Sequence, residues 1–220
     1  MEIVVNAAMS ADGKLSSRER EQIVISGPGD FDRVDALRAG SDAVMVGVGT
    51  VLADDPSLTL DGEQRRTERR ERGDPADPVR VVADSRLRTP TDARVLAGDA
   101  ETVLLASADA PAERATQLES AGATVVRAGE RRVDLPAALG ALDERGIGQV
   151  MVEGGGELIY SLFEDGLVDR LSVFVGSLVI GGRDAPTLAD GDGFTTEFPD
   201  LALEAVDRIE DGVLLAYTAE

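Results

Sequence analysis

Residues 149–163 read QVMVEGGGELIYSLF, and this stretch decides the fold. The apolar run Gln149–Glu153 predicts a buried strand, and the residues after the glycines predict a helix that runs to about Asp165. A turn needs one glycine, whereas three in succession leave backbone N–H groups accessible where the helix begins. Such a helix N-terminus binds phosphate well, so the stretch predicts a pyrophosphate cradle, with a purely structural turn as the alternative.

Short apolar runs alternate with helical stretches on the N-terminal side of this segment. The predicted strands are Glu2–Ala8, Asp42–Val48, Val79–Ala83, Thr102–Ala106 and Ala123–Val126. The predicted helices are Phe31–Ala39, Pro111–Ser120 and Leu135–Arg145. Strand and helix in alternation are typical of a mainly parallel sheet that is flanked by helices.

The C-terminal part follows another pattern. Arg170–Val175 alternates as a strand, and the runs Leu201–Ile209 and Gly212–Ala219 are joined by the turn residues Glu210-Asp211-Gly212. This arrangement predicts an antiparallel hairpin. We therefore expect a single α/β domain over residues 1–220, with a mainly parallel central sheet and an antiparallel C-terminal hairpin.

The segment Asp61–Pro78 interrupts the pattern. Of its 18 residues, 11 are charged, five of them arginines, and none is a large apolar residue. The composition predicts a charged insertion loop, either solvated or serving as a local anion patch.

The composition of the 220-residue chain excludes several classes of enzyme. It has no His and no Cys, so it holds no zinc finger, no Cys-His or Ser-His-Asp arrangement and no disulfide framework. Proton transfer must use Asp, Glu, Lys, Tyr, backbone groups or water. Lys14 is the single lysine beside 21 arginines, which indicates a functional role; chance retention is the alternative.

The net charge is −20, from 42 acidic and 22 basic residues. This charge argues against binding to nucleic acid or anionic membranes, and it favours an acidic surface that keeps the protein dispersed in a salty cytosol. No apolar run reaches about 18 residues and no signal-peptide pattern is present, so we expect a cytoplasmic protein.

Three further polar segments follow predicted strands, where ligands bind in open α/β sheets. Asn6–Lys14 contains the turn Asp12-Gly13, and Gly47–Pro56 offers Thr50 and Asp54 as polar contacts. Asp84-Ser85-Arg86 suits a phosphate. The structural alternatives are a common turn, a helix capped by Thr50 and an ordinary loop.

Neither a G-x-G-x-x-G fingerprint nor a G-x-x-x-x-G-K-[ST] loop occurs, so a bound dinucleotide requires a fold of another kind. Ile180-Gly181-Gly182 indicates a turn to which we assign no chemical role.

Four motifs together resemble a known family. VVNAAMSADGKLS, LRAGSDAVMVGVGTVLADDPSLT, RVVADSRLR and VEGGGELIYSLFEDGLVDRLSVFVGSLVIGG are similar to the reductases of riboflavin biosynthesis, in their stand-alone archaeal form. The reductase domain of the bacterial bifunctional deaminase/reductase is similar as well. Any one motif is weak, but four in the same order over nearly the whole chain are specific.

The resemblance implies a dihydrofolate-reductase-like fold, NADPH as hydride donor, no metal and a homodimer. It implies reduction of the ribosylamino group of 2,5-diamino-6-ribosylamino-4(3H)-pyrimidinone 5′-phosphate to a ribitylamino group. A deaminase half would need a His/Cys zinc site, which this composition does not provide.

The resemblance also implies residue roles. Those expected to contact NADPH are Ala8 or its neighbour Ala7, Thr50, Asp54, Ser85 with Arg86, Gly154, Gly155, Gly156, Glu157 and Leu158. Those expected to contact the substrate are Arg38, Leu58 and Glu153. Candidates for proton transfer are Asp12, Lys14, Glu153 and water, and orientation of the substrate is the alternative role for Glu153.

Position 61 departs from the family. Its members usually carry an apolar residue and then an Arg after SLT, and that Arg meets the substrate phosphate, whereas here Leu60 is followed by Asp61. Either Arg65 or Arg66 folds back to replace it, or Arg38 and another group hold the phosphate. Two other functions stay open: a related reductase of another pterin or imine, and a non-catalytic NADP-binding module.

Overall fold

Nine strands and six α-helices follow one another in the computed structural model, which describes residues 1–21 and 23–220. The strands are β1 (Glu2–Ser10), β2 (Ala43–Gly47), β3 (Val79–Ala83), β4 (Thr102–Ala106), β5 (Ala123–Arg127), β6 (Gln149–Gly154), β7 (Arg170–Gly176), β8 (Leu201–Ile209) and β9 (Gly212–Ala219). The helices are α1 (Pro28–Gly40), α2 (Val48–Asp54), α3 (Glu63–Arg72), α4 (Ala112–Ser120), α5 (Leu135–Asp143) and α6 (Gly156–Glu164), with a short 3-10 helix at Arg94–Leu96.

The chain divides into two units. The first comprises Met1 and Asp35–Met151, and the second comprises Glu2–Val34 and Val152–Glu220. Both α1 and β6 begin in one unit and end in the other.

The first unit contains four parallel strands in the order β5-β4-β3-β2. Most residues of β2, β3 and β4 are buried because helices cover such a sheet, and a parallel strand then reads as an apolar run. The edge strand β5 is mostly half-buried. Val46, Val82 and Leu104 from these strands pack with Val51 of α2 and Leu118 of α4 in one apolar cluster. This cluster lies beneath α2, which carries Thr50, and beside β3, whose end precedes Ser85.

The second unit pairs β1 with β7 in parallel and then continues antiparallel through β9 to β8. The turn between β8 and β9 lies at Glu210-Asp211, as predicted. Gly212 is required beside it, since a Cβ there would lie 2.1 Å from the ring of Phe174. The predicted α/β class, with mainly parallel strands and an antiparallel C-terminal hairpin, is confirmed.

Residues 61–78 differ from the expected structureless loop because they contain α3. The helix buries an arginine where an ordinary helix buries apolar residues: Arg69 is 3% exposed, and its guanidinium donates hydrogen bonds to the carbonyls of Pro75, Ala39 and Ser41. Removal from water lowers the pKa of Arg69. A prediction based on apolar periodicity misses a helix that is attached through charge and hydrogen bonds.

Candidate functional site

The glycine segment in the second unit forms the predicted strand-to-helix turn. The peptide bond between Gly154 and Gly155 is cis, and α6 begins at Gly156. Gly155 occupies the N-cap and makes no side-chain hydrogen bond to the start of the helix. The first N–H groups of a helix have no intrahelical acceptor. A bound phosphate at residues 154–158 stays a prediction, which a helix start of this kind favours.

A second segment, Thr187–Phe194, packs against the start of α6. Asp190 donates its backbone N–H to the carbonyl of Gly156 at 3.0 Å. A Cβ on Gly156 would lie 2.4 Å from the carbonyl oxygen of Thr187 and 2.9 Å from a carboxylate oxygen of Asp190. Farther along, the rings of Tyr160 and Phe194 are 5.0 Å apart. Gly156 is therefore needed for close packing, and it is itself buried.

The carboxylate of Asp12 fastens the turn after β1 to residues 180–181. It accepts hydrogen bonds from the Ser10 hydroxyl at 2.6 Å, the Ile180 N–H at 3.0 Å and the Gly181 N–H at 2.7 Å. These bonds, the Ser10 bond above all, lower the pKa of Asp12 to about 2. Asp12 is therefore ionised near neutral pH and holds the turn in place.

Lys14 lies in the same turn and contacts the same distant segment. Its backbone N–H donates to the Ser10 hydroxyl at 2.9 Å, and its ammonium donates to the carbonyl of Ala185 at 3.2 Å. A single β-bridge joins Lys14 to Thr187. Lys14 thus contacts Ala185 and also Thr187, the first residue of the segment that packs on α6.

The remaining predicted residues of this unit lie at strand ends. Glu153 is half-buried near the end of β6. Ala7 and Ala8 lie near the end of β1, where Ala7 is buried and Ala8 is half-buried beside its β7 partner Phe174. Both positions carry small side chains near the end of the strand.

In the first unit, Thr50 and Asp54 lie four residues apart on α2 and so share one face of the helix. The structural alternative for this segment, a helix capped by Thr50, is wrong. The helix starts at Val48 and its N-cap is Gly47, so Thr50 is already the third helical residue. Asp54 is an exposed residue, but neighbouring protein atoms partly remove its carboxyl from water, which raises the pKa of that carboxyl.

Arg38 and Leu58 belong to neighbouring parts of this unit. Arg38, in the last turn of α1, donates from Nη1 to the carbonyl of Thr59 at 3.0 Å. The side chain of Leu58 is 1% exposed and lies in the apolar cluster of the unit. Any contact from Leu58 to a ligand would therefore come from its backbone.

Arg65 and Arg66 both fold back toward residues 60–62, and each forms an ion pair with a different carboxylate. Arg65 forms an ion pair of 2.8 Å with Asp35, whose carboxylate also accepts the Asp61 N–H at 2.8 Å. Arg66 pairs with Asp77 at 3.1 Å and donates a further bond to the carbonyl of Leu60. Arg65 is thus the arginine that shares a partner with the residue at position 61.

Hydrogen bonds to other protein groups fix the side chains of Asp84 and Ser85 in the segment after β3. Asp84 is fully buried, and one carboxylate oxygen accepts the N–H and the hydroxyl of Thr89 at 2.7 and 2.8 Å. The Ser85 hydroxyl accepts the Val133 N–H at 3.0 Å, whereas Arg86 is exposed. The structure gives Ser85 a bond within the loop and leaves Arg86 accessible to a ligand.

Within the second unit, the stretch Ile180–Asp190 brings Asp12, Lys14 and Gly156 together. The sequence reasoning missed Thr187 and Asp190, whose only signal was a glycine-rich stretch without periodicity. Among the described residues, no group of three or more Asp and Glu side chains could hold a metal ion. None of the helices described has the length and apolar character to cross a membrane.

Comparison with known proteins gives consistent matches. The model of the RibD C-terminal domain matches residues 1–215. Two archaeal relatives are named 2,5-diamino-6-ribosylamino-4(3H)-pyrimidinone 5′-phosphate reductase. The chain is 45% identical to the one from Archaeoglobus fulgidus over 96% of its own length and 94% of the relative. It is also 45% identical to the one from Methanothermobacter thermautotrophicus, over 99% and 98%.

The fold is similar to that of a solved structure, a pyrimidine reductase-like protein from Corynebacterium diphtheriae. The TM-score is 0.86 at 20% identity, and the similarity covers 100% of this chain and 92% of the other. This similarity supports the fold.

Proposed function

Because the chain belongs to the RibD C-terminal domain family, we propose that it reduces the ribosylamino group of 2,5-diamino-6-ribosylamino-4(3H)-pyrimidinone 5′-phosphate to a ribitylamino group. The observation that carries the proposal is 45% identity, over nearly the full length of both chains, to two reductases of that name. The family consists of redox enzymes of riboflavin biosynthesis that need a nicotinamide cofactor. Our proposal adds that the cofactor is NADPH.

The chemistry needs three events at the substrate. The ribosylamine ring opens to a Schiff base at C1′, a hydride adds to C1′, and the nitrogen takes up a proton, which leaves an open-chain ribityl group. NADPH, when bound, supplies the hydride. The protein must hold both reactants within about 3–3.5 Å of each other, because orientation accounts for a large share of such rates.

The residues of the second unit fit a bound pyrophosphate. The N-cap Gly155 adds no side-chain hydrogen bond to the start of α6, and residues 154–156, all of them glycine, carry no side chains. The Thr187–Phe194 segment supports this helix start, and the Asp190 carboxylate is already engaged by the N–H of Thr187 at 3.1 Å. We assign Gly154, Gly155, Gly156, Glu157 and Leu158 to the cofactor, together with Ala8 of this unit. For the first unit, the family resemblance implies cofactor contacts from Thr50, Asp54 and Ser85.

For the substrate phosphate we propose Arg38 and Arg65. Arg38 is already bonded to the backbone of the segment that carries Leu58. Arg65 shares Asp35 with the N–H of position 61, where family members usually have an arginine. Arg66 faces a different partner, Asp77. Arg65 therefore replaces the family arginine in our account.

The low pKa of Asp12 reduces the number of candidate proton donors. A carboxyl with a pKa of about 2 carries no proton near neutral pH, so Asp12 is a positioning residue in our account. Glu153, Lys14 and water remain as donors, and Glu153 can instead orient the substrate. Replacing Glu153 by Gln separates the two roles: near-normal turnover removes Glu153 from proton transfer, and a large loss of kcat with unchanged substrate KM supports it.

We also propose that the protein works as a homodimer in a salty cytosol. Leu203 and Val206 of β8, the outermost strand of its unit, are 56% and 58% exposed, and a second copy would cover such side chains. The net charge of −20 suits dispersal at high salt. Light scattering at high and low salt tests the dimer; a monomer at both would contradict it.

The activity is tested directly by mixing the purified protein at high salt with the ribosylaminopyrimidine phosphate and NADPH, and following loss of the reduced nicotinamide. Parallel reactions contain NADH in place of NADPH, or dihydrofolate in place of the substrate. We expect oxidation with NADPH and the pyrimidine substrate. Oxidation with dihydrofolate alone would point to another pterin, and cofactor binding without any oxidation would indicate a binding module.

A further inference from the structure

A polar cavity in the first unit has no part in the proposed reaction. Its volume is about 400 Å³. It is lined by the loop after α2, by α3, by the start of β3 and by the chain around the 3-10 helix, through Ser57, Thr59, Arg66, Asp77, Arg80 and Arg94 and the turn at residues 97–100. None of the residues assigned to the cofactor or the substrate lines it.

The cavity lies at the opposite end of the strands from Ser85. Arg80 is the second residue of β3, and the turn at residues 97–100 precedes β4, so the cavity is near the amino ends of both strands. Ser85 follows the carboxyl end of β3. Five residues of extended strand separate Arg80 from Ser85, which corresponds to roughly 16 Å.

Arg80 is a buried cation without an adjacent anion. It is 1% exposed, and its guanidinium donates to the carbonyls of Ala97, at 2.7 Å, and Ala100. Within the described part of the chain, its Nε has no hydrogen-bond partner, and no carboxylate lies within ion-pair distance of the side chain. Burial lowers the pKa of Arg80, and the more distant Asp77 opposes this effect. Burial of a charge that is not directly paired is costly, so the site favours a negative charge nearby.

The other side chains supply donors at the mouth of the cavity. Arg94 is exposed, and its guanidinium makes one long bond of 3.4 Å to the Asp55 carbonyl. Arg66 is half-buried and already paired with Asp77. Ser57 accepts a bond from the Thr59 hydroxyl at 3.2 Å, which leaves the Ser57 hydroxyl proton available. Three arginines face two carboxylates, those of Asp77 and Asp99, in a chain whose acidic residues otherwise outnumber its basic ones.

We infer that this cavity binds a phosphate group, either as inorganic phosphate or on a small phosphate ester, at a site separate from the cofactor and substrate. Guanidinium groups and hydroxyls are the donors that phosphate oxygens prefer. The volume admits one small molecule and excludes an extended polyanion. The inference stands independently of the proposed activity.

The test measures phosphate binding by titration calorimetry on the full chain, with chloride at equal ionic strength as the reference, because salt screens exposed charges in any case. Saturating NADPH is present so that the start of α6 is occupied. Inorganic phosphate and ribose 5-phosphate are titrated separately. Binding of inorganic phosphate or ribose 5-phosphate that persists in Arg65→Gln, where the proposed substrate phosphate site is weakened, supports the separate site and identifies which of the two binds. Binding of neither, or binding that disappears when NADPH is added or Arg65 is replaced, overturns the inference.

Variants localise the binding. Arg94→Gln, at an exposed position, should weaken phosphate binding about tenfold or more, the loss expected for a charged hydrogen bond. Arg80→Met should abolish it. The matched control is Arg70→Gln on α3, where the arginine pairs with Glu63 and does not line the cavity; its binding should stay within about twofold of wild type. Equal loss in Arg94→Gln and Arg70→Gln would contradict the inference.

Crystals soaked in tungstate, a heavier oxyanion of similar shape, give a readout that does not depend on variant stability. We expect the metal peak among Arg66, Arg80 and Arg94. A peak confined to the start of α6, or to exposed arginines elsewhere, would overturn the inference.

Discussion

Replacement of Gly156 by Ala tests how α6 is held at its start. The added Cβ would lie 2.4 Å from the Thr187 carbonyl oxygen, which is backbone, and 2.9 Å from the Asp190 carboxylate. Real Cβ atoms essentially never come within 3.0 Å of such atoms, so the helix start or the Thr187–Phe194 segment must move. Overpacking of this kind costs about 1–3 kcal/mol. For a chain of this size, about 2 kcal/mol corresponds to a fall in Tm of roughly 6 °C.

The same displacement changes the proposed cofactor site. If the first N–H groups of α6 bind the pyrophosphate, their misplacement raises KM for NADPH, and we expect roughly a tenfold increase. The matched control is Gly140→Ala in α5, where a new Cβ would meet nothing within 4 Å. That variant should be unchanged in KM and more stable by about 0.5–1 kcal/mol, because Ala is the better helix former.

The measurements are thermal unfolding of both variants under one set of salt conditions and steady-state kinetics with varied NADPH. A Gly156→Ala protein that melts at the wild-type temperature would show that the segment does not pack on α6 as described. A destabilised Gly156→Ala protein with unchanged KM would show that the packing is correct but the cofactor phosphate is bound elsewhere.

Three further predictions concern charged groups. Arg65→Gln should raise the substrate KM about tenfold or more while Arg66→Gln leaves it within about twofold, as steady-state kinetics on both variants would show; equal effects would contradict the assignment of the substrate phosphate. Asp12→Asn should lower the urea midpoint near neutral pH, because folding lowers the pKa of Asp12 and its ionised carboxylate stabilises the folded protein fully above pH 3.8. The difference in midpoint between variant and wild type should disappear as the pH falls to about 2, and a difference independent of pH would refute this. Arg69→Met should cost roughly 3 kcal/mol in urea unfolding because three carbonyls lose their donor, and a neutral result would mean that α3 is not anchored by Arg69.

Much of the fold could be predicted because local patterns and tertiary structure agree. VRVVA forms a strand with the predicted bounds Val79–Ala83, since a parallel strand covered by helices needs apolar residues throughout. The hairpin of β8 and β9 also has its predicted bounds, because its turn residues lie between two alternating runs. In each case the residues that determine the structure lie within one short segment of the sequence.

The failures share a different cause. The helix α3 is anchored by Arg69, whose bonding partners lie 6 to 30 positions away, so its charged composition resembled a loop. The alternative role of Thr50, as the cap of α2, does not hold, because the helix starts at Val48 without any side-chain cap. Sequence spacing locates a cap only to within a residue or two.

The site shows the same limit. The glycines at 154–156 could be placed from their own neighbours, whereas Thr187 and Asp190 contact them from about 30 residues away. The bonds of Asp12 to residues 180–181, which help to lower its pKa, join positions far apart in the sequence. Roles that depend on contacts across the chain need the folded structure.

The most direct test of the proposed reaction follows the transferred hydrogen. The protein is given the ribosylaminopyrimidine phosphate and NADPH that carries deuterium at the reactive nicotinamide carbon on both faces, and the product is examined by mass spectrometry and NMR. Our account predicts a ribitylamino product with one deuterium at C1′. Deuterium at any other carbon, or a recovered substrate without deuterium while the cofactor stays reduced, would contradict it.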